Sequence, residues 1–165
     1  MPLGDKIEDR SLRPYHIMVA SLFAGLNEMG MLNQASVNVA SRRAGRYLSE
    51  YASAKGGVEK ISRDASRNEK VQALVKVLDT MLELGTRVKV GVTPDDVEIA
   101  IVSMGCKFCP KGVGEAELKG ALCPYPGMVE EFVNSFLPPE EKVKLASIDR
   151  RQLRKQGDSC YMVLR

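Results

Sequence analysis

The period of the hydrophobic pattern changes once along this chain, near Gly85, and that change limits what it can fold into. After Pro14, Met18, Val19, Leu22, Phe23, Leu26 and Met29 recur at helical spacing and predict an amphipathic helix ending near Gly30. A second helix, over 37–54, places Val39, Ala44, Leu48 and Tyr51 on one side, with Arg42, Arg43, Arg46 and Glu50 on or beside the polar side. Gly56-Gly57 breaks it, and a short polar turn follows over 58–66. Asn68 then caps a third helix whose stripe is Val71, Leu74, Val75, Leu78, Met81 and Leu82, with Gly85 at its end.

From Arg87 the pattern alternates strictly. Val88, Val90 and Val92 make a half-exposed strand, 93–96 has turn chemistry, and 97–102 returns as a more buried strand. Residues 114–137 read as helix with Leu118, Leu122, Met128, Val129, Phe132, Val133 and Phe136 inward, bent where Pro124 and Pro126 fall. Pro138-Pro139 stops it, 142–149 alternates as a strand, 150–156 is a basic connection, and Gly157-Asp158 turns into a last strand over 159–164. The expected class is α+β: N-terminal helices, then an antiparallel sheet of about four strands, with a helix between the two hairpins. Residues 1–13 are expected as a flexible arm, and 14–165 as one domain.

Four cysteines carry the chemistry. Cys106-Lys107-Phe108-Cys109 is a C-x2-C pair; Cys123 follows after 13 residues and Cys160 after a further 36. Such a pair lets two thiolates grip one ion from a tight turn, leaving the opposite positions to other parts of the fold. The amino end has charges of both signs and no apolar signal region, so a cytoplasmic, reducing setting is expected. That setting favours metal or free thiols over two disulfides. If the second and last strands are neighbours, all four thiols meet at one end of the sheet, where zinc would take them at roughly 2.3 Å. The alternatives are a site of three cysteines with Cys160 as a buried small hydrophobe, a C-x2-C redox pair, and an iron–sulfur cluster.

Other groups read as structural. His16 is the sole histidine and sits in an apolar helix, so a histidine-rich metal enzyme is excluded. Asp95-Asp96 and Glu140-Glu141 are turn and solvent carboxylates, and Gly112-Val113-Gly114 lacks the Gly-Lys-Ser/Thr of a nucleotide loop. Arg42, Arg43 and Arg46, and then Arg150, Arg151, Arg154 and Lys155, form basic groups. The net charge is only +3, and nucleic acid is not the expected partner. No run approaches the ~20 apolar residues of a membrane span.

The carboxyl-terminal half resembles the 4-vinyl reductase domain family. The likeness rests on the strand entering a cysteine loop (99–110), a cysteine inside the next helix (Cys123), and Gly157-Asp158-Ser159-Cys160-Tyr161-Met162-Val163. Upstream, Arg43-Ala44-Gly45-Arg46-Tyr47-Leu48 is similar to that family's Ala-Gly-Arg stretch. The family's ending is Gly-Asp-x-x-Cys, against Gly-Asp-x-Cys here. Its phenol-sensing relatives carry a further upstream cysteine, where this chain has Asp149-Arg150-Arg151-Gln152. Relatives include the sensing domain of phenol-responsive activators and an acyl-binding trafficking subunit. The resemblance therefore implies a domain that binds a small apolar or amphipathic molecule and is not a catalyst.

The resulting expectation is a small-molecule binding module with a structural zinc on Cys106, Cys109, Cys123 and Cys160. Leu118, Leu122, Tyr125, Met128 and Phe132 would line the cavity with Phe23, opposite Val97, Ile99 and Ile101. The first helix, through Phe23, Leu26 and Met29, would form a homodimer. The alternative is a redox or iron–sulfur enzyme using Cys106 and Cys109.

Overall fold

The computed structural model describes residues 2–62, 64–118, 122–147 and 152–165. Its elements run α1 (Leu3–Asp9), α2 (Pro14–Glu28), α3 (Gln34–Ala54), α4 (Arg67–Leu82), β1 (Val88–Val92), β2 (Val97–Val102), α5 (Tyr125–Asn134), β3 (Arg154–Gln156) and β4 (Ser159–Leu164). The fold is α+β, with helices first and α5 between two hairpins. The sheet is antiparallel throughout, in the order β1-β2-β4-β3.

Alternation on β2 buries Val97, Ile99 and Ile101. Their partners across the ladder are Leu164, Met162 and Cys160, which share that face. Against it pack Val71, Leu74, Val75 and Leu78 of α4 and Tyr125, Met128, Val129, Phe132 and Val133 of α5, making one core. The opposite flank of α5 meets α3 through small residues: Val37, Ser41, Gly45, Ser49 and Ala52 are the buried set. A Cβ on Gly45 would overlap the Met128 carbonyl oxygen and stand 3.1 Å from Glu131 Cβ. Glycine there is what lets the helices touch.

Several boundaries differ from the sequence reading. The arm carries helix α1, and Arg10 and Leu12 just after it are buried. The inward face of α2 is His16, Ala20 and Ala24, whereas Met18, Leu22 and Met29 face out. On α3, Val39 and Tyr51 are likewise exposed. The cap of α4 is Ser66: its hydroxyl accepts from Glu69 N–H, and Glu69 accepts from the Ser66 N–H at 2.8 Å. Asn68 instead donates to the Thr93 and Pro94 carbonyls at 2.8 and 3.0 Å, pinning the β1–β2 turn. The helix stops before Glu83, held left-handed at φ 49°, not at Gly85.

The long helix expected over 114–137 is shorter. Residues 115–118 are irregular, 119–121 lie outside the described residues, and Pro124 and Pro126 open α5 instead of bending a longer helix. The strand expected over 142–149 reduces to one bridge, Leu145 to Leu164, with Lys144 and Arg165 exchanging two backbone bonds. Residues 148–149 of that span are not described. The second hairpin is β3–β4, so part of the basic connection is the third strand. Among the described residues no helix is long and apolar enough to cross a membrane.

Candidate functional site

The cysteine loop leaves β2 through a tight 3-10 turn, Ser103–Gly105. Backbone bonds from Thr86 N–H to the Gly105 carbonyl (3.0 Å) and from Lys107 N–H to the Leu84 carbonyl (3.1 Å) flank a Gly85–Cys106 bridge. Cys106 is thereby laced to the chain that follows α4. The Tyr125 hydroxyl donates to the Leu84 carbonyl, accepts from Phe108 N–H at 3.3 Å, and lies 3.7 Å from Cys106 Sγ. Phe108 is wedged edge-on between the His16 and Tyr125 rings, with centroids at 4.8 and 5.9 Å.

The remaining cysteines arrive from two directions. Cys123, just before α5, is gripped by one side chain: Gln34 accepts from its N–H and donates to its carbonyl, both at 3.1 Å. Cys160 enters from β4, opposite Ile101 on the core-facing side. β2 and β4 are neighbours, which was the condition for the thiols to meet at one end of the sheet.

Cys109 stands at the electrical centre of this corner. A hydrogen bond from Cys106 is the main cause drawing its thiol down to about 6, helped by the Gly112 and Lys111 N–H groups and the Arg10 charge. The Gly112 N–H lies 3.2 Å from its sulfur. Cys106 moves the opposite way, raised first by that same hydrogen bond and then by burial. Burial raises Cys123, and the charges of Cys109 and Cys160 push it the same way. Cys160 is raised by burial and by Cys109. Cys109 is thus within electrostatic reach of all three others.

Reach is not ligation. Among the described residues no three cysteine, histidine or carboxylate groups are placed to hold a metal ion as they stand. Charges interact over roughly a Debye length, ~10 Å, whereas sulfurs bound at roughly 2.3 Å to one ion sit under ~4 Å apart. The thiols share a corner without closing on a common point.

Arg10 is the group the sequence did not bring forward. It is 3% exposed, donates from Nη1 to the Cys106 carbonyl at 3.0 Å, and leaves Nε without a partner. A Cβ on Gly112 would be 3.1 Å from Arg10 Nη1 and 3.4 Å from Cys109 Sγ, so guanidinium and sulfur crowd the same glycine. Among the described residues no carboxylate pairs with Arg10. Lys107, equally buried, has Glu83 at 2.6 Å. Asp79 and Glu83 line the same depression as Arg10 without pairing with it, and Cys109 is a thiol that its charge acts on.

The expected cavity-lining residues fall elsewhere. Tyr125, Met128 and Phe132 lie in the main core beside Val97, Ile99 and Ile101. Leu118, Leu122 and Phe23 are half-buried. Two surface depressions stand out, and none of the six lines either. One, about 380 Å³, is polar and runs past Arg10, Asp79, Glu83 and Lys107; the other, about 300 Å³, lies by Val58, Ile61, Leu74 and Phe136. His16 is structural: its Nδ1 accepts from Arg13 N–H and its Nε2 donates to the Leu82 carbonyl, both at 2.8 Å.

Residues 30–165 match the MJ0207 family, and the chain belongs to it. Over 69 residues the chain is 32% identical to the uncharacterized protein MJ1342 of Methanocaldococcus jannaschii. That stretch is 42% of this chain and spans 60% of the relative's length. Neither comparison bears on the likeness to 4-vinyl reductase domains.

Proposed function

We propose that this member of the MJ0207 family is a metal-thiolate protein, taking one zinc ion on Cys106, Cys109, Cys123 and Cys160. The ion's role is structural: it would tie the exit of β2, the approach to α5 and the start of β4 into one corner. The observation that carries this reading is Arg10, a buried guanidinium with an orphaned Nε and no paired carboxylate among the described residues, set against the cysteine loop. An unpaired buried cation is costly, and a thiolate cluster is the counter-charge within reach. The Gly112 N–H donating to Cys109 Sγ is the kind of hydrogen bond that steadies a ligating thiolate. Zinc binding would have to drive the closure of the thiols on a common point. The small-molecule half of the expectation gains no such support, since Tyr125, Met128 and Phe132 fill the core.

A second reading rests on the Cys106–Cys109 pair, whose thiols are shifted in opposite directions, Cys109 down and Cys106 up. The pair would close to a disulfide, passing two electrons and two protons to an external disulfide. One experiment separates the readings. Full-length protein is prepared reduced and anaerobic, then assayed for metal content and titrated with cobalt(II) as a spectroscopic stand-in for zinc. One ion per chain, thiolate-to-cobalt absorption, and its loss or weakening in each of four Cys→Ser variants are the expected results. No metal uptake, with ready formation of a Cys106–Cys109 disulfide, overturns the proposal for the redox reading. A visible iron–sulfur spectrum in the native protein overturns it for a cluster.

A further inference from the structure

Helix α2 has no charged residue from Pro14 to Asn27, and its apolar side chains run around the whole circumference. Helices of that composition are normally covered on all sides. Here the inner face alone is covered: Ala20 rests on the chain at Gly114, within a small cluster with Leu12 and Val113, and Ile17 packs on it. The outer face leaves Met18 at 65% exposure, Leu22 at 60% and Met29 at 64%, with Met31 at 65% just beyond the cap. At 100° per residue, Met18, Leu22, Gly25 and Met29 fall on one narrow stripe. Gly25 opens a notch within it, since a Cβ there would meet nothing within 4 Å.

We infer that this stripe is a two-fold interface with a second copy of the chain, α2 packing antiparallel on α2. The spacing is self-complementary. About an axis between residues 23 and 24, Leu22 stands opposite the second copy's Gly25, Met18 opposite Met29, and exposed Ser21 opposite half-buried Leu26. Each pair sets a larger side chain against a smaller or a flexible one, as an isologous contact requires. The four exposed side chains leave about 500 Å² of apolar surface in water, at the top of the range for a monomer's largest patch. A stable pair covers roughly 800 Å² per partner, and exposed Ser21 with the half-buried Tyr15, Val19 and Leu26 flanking the stripe supply part of the remainder. With no charge on the stripe, nothing selects an acidic or basic partner, and the cationic face of a membrane-surface helix is missing. The facing set is therefore Met18, Leu22, Gly25 and Met29, in place of Phe23, Leu26 and Met29.

Sedimentation of the reduced full-length chain across a wide concentration range tests this. The native chain should sediment as a dimer, and Leu22→Glu as a monomer or with association weakened at least tenfold. Gly25→Leu should do the same, because the notch is open in the single chain and closed only in the pair. Val39→Glu, on the exposed side of α3 at 72% exposure, should leave the dimer intact. Circular dichroism confirms folding of each variant, and if Gly25→Leu does not fold, Leu22→Glu decides alone. A native chain that stays monomeric, or a dimer untouched by Leu22→Glu, overturns the interface. The result is independent of whether the cysteines bind metal.

Discussion

Replacing Tyr125 by phenylalanine isolates one hydroxyl at the root of the cysteine loop. The ring is 2% exposed and packed in the core, and the substitution keeps it. The hydroxyl serves two backbone groups, the Leu84 carbonyl and the Phe108 N–H. Their losses differ. The Leu84 carbonyl keeps the Lys107 N–H at 3.1 Å, so it remains half satisfied. The Phe108 N–H loses the partner it has and is left buried, which costs about 1–3 kcal/mol. Removing the desolvated hydroxyl returns a part of that, and a net loss of about 2 kcal/mol results. For a chain of this length that lowers Tm by about 4–8 °C, measured on reduced, metal-free protein. Amide hydrogen exchange localises the effect: Phe108 should exchange much faster, while Lys107, whose bond to Leu84 survives, should not. A stability change below ~0.5 kcal/mol, or equal acceleration at both amides, would falsify the claim that Tyr125 pins the loop.

Three further perturbations follow from the same coordinates. Burial holds the His16 imidazole below its ordinary value, so the unfolded chain binds the proton more readily than the folded one. The stability this group contributes is complete above about pH 6.5 and is lost as pH falls from there toward the folded-state value. Denaturant unfolding should show that decline in the native chain and less of it in His16→Gln; equal slopes would refute it. Gly45→Ala should destabilise by about 2 kcal/mol, although helix propensity alone would favour alanine by ~0.5–1 kcal/mol, because the new Cβ meets the Met128 carbonyl and Glu131. A gain in stability would show that α3 and α5 can part freely. Asn68→Ala should cost about 1–3 kcal/mol by freeing the Thr93 and Pro94 carbonyls, and thermal unfolding measures it directly.

The change of period at Gly85 was enough to place helices before sheet, because large side chains at spacing 2 on β2 and at spacing 3.6 on α4 dominate their burial. Where small residues make the contact, the pattern misled. α3 turns Ser41, Gly45 and Ser49 toward α5 and leaves Val39, Tyr47 and Tyr51 in water, so a search for the largest apolar side selected the wrong face. The same inversion occurs on α2, where Ala20 and Ala24 are inside. The Ser66-Arg67-Asn68-Glu69 capping box was legible and was passed over for Asn68, whose amide works at long range instead. The third strand is only three residues of exposed Arg-Lys-Gln, and no hydrophobic alternation could announce it.

Of the candidate site, the cysteines were visible and their balancing charge was not. Spacing predicts that the four thiols can meet at one end of the sheet if the second and last strands adjoin; those strands do adjoin, while among the described residues the thiols do not close on one ion. Arg10 lies 96 residues from Cys106 in the chain, inside a charged stretch that reads as solvated. Its burial alters the electrostatics of the corner. With four neutral thiols, Arg10 would be a buried cation with no directly paired carboxylate among the described residues. With Cys109 ionised the two charges offset, consistent with Arg10 being among the causes that draw that thiol down. Under the proposed zinc reading, four thiolates around a divalent ion would carry a net charge of about −2, which would strengthen the hold on Arg10 and so on the segment that carries it. On the proposed zinc site, metal uptake and docking of residues 2–13 would be linked processes, each stabilising the other through one guanidinium.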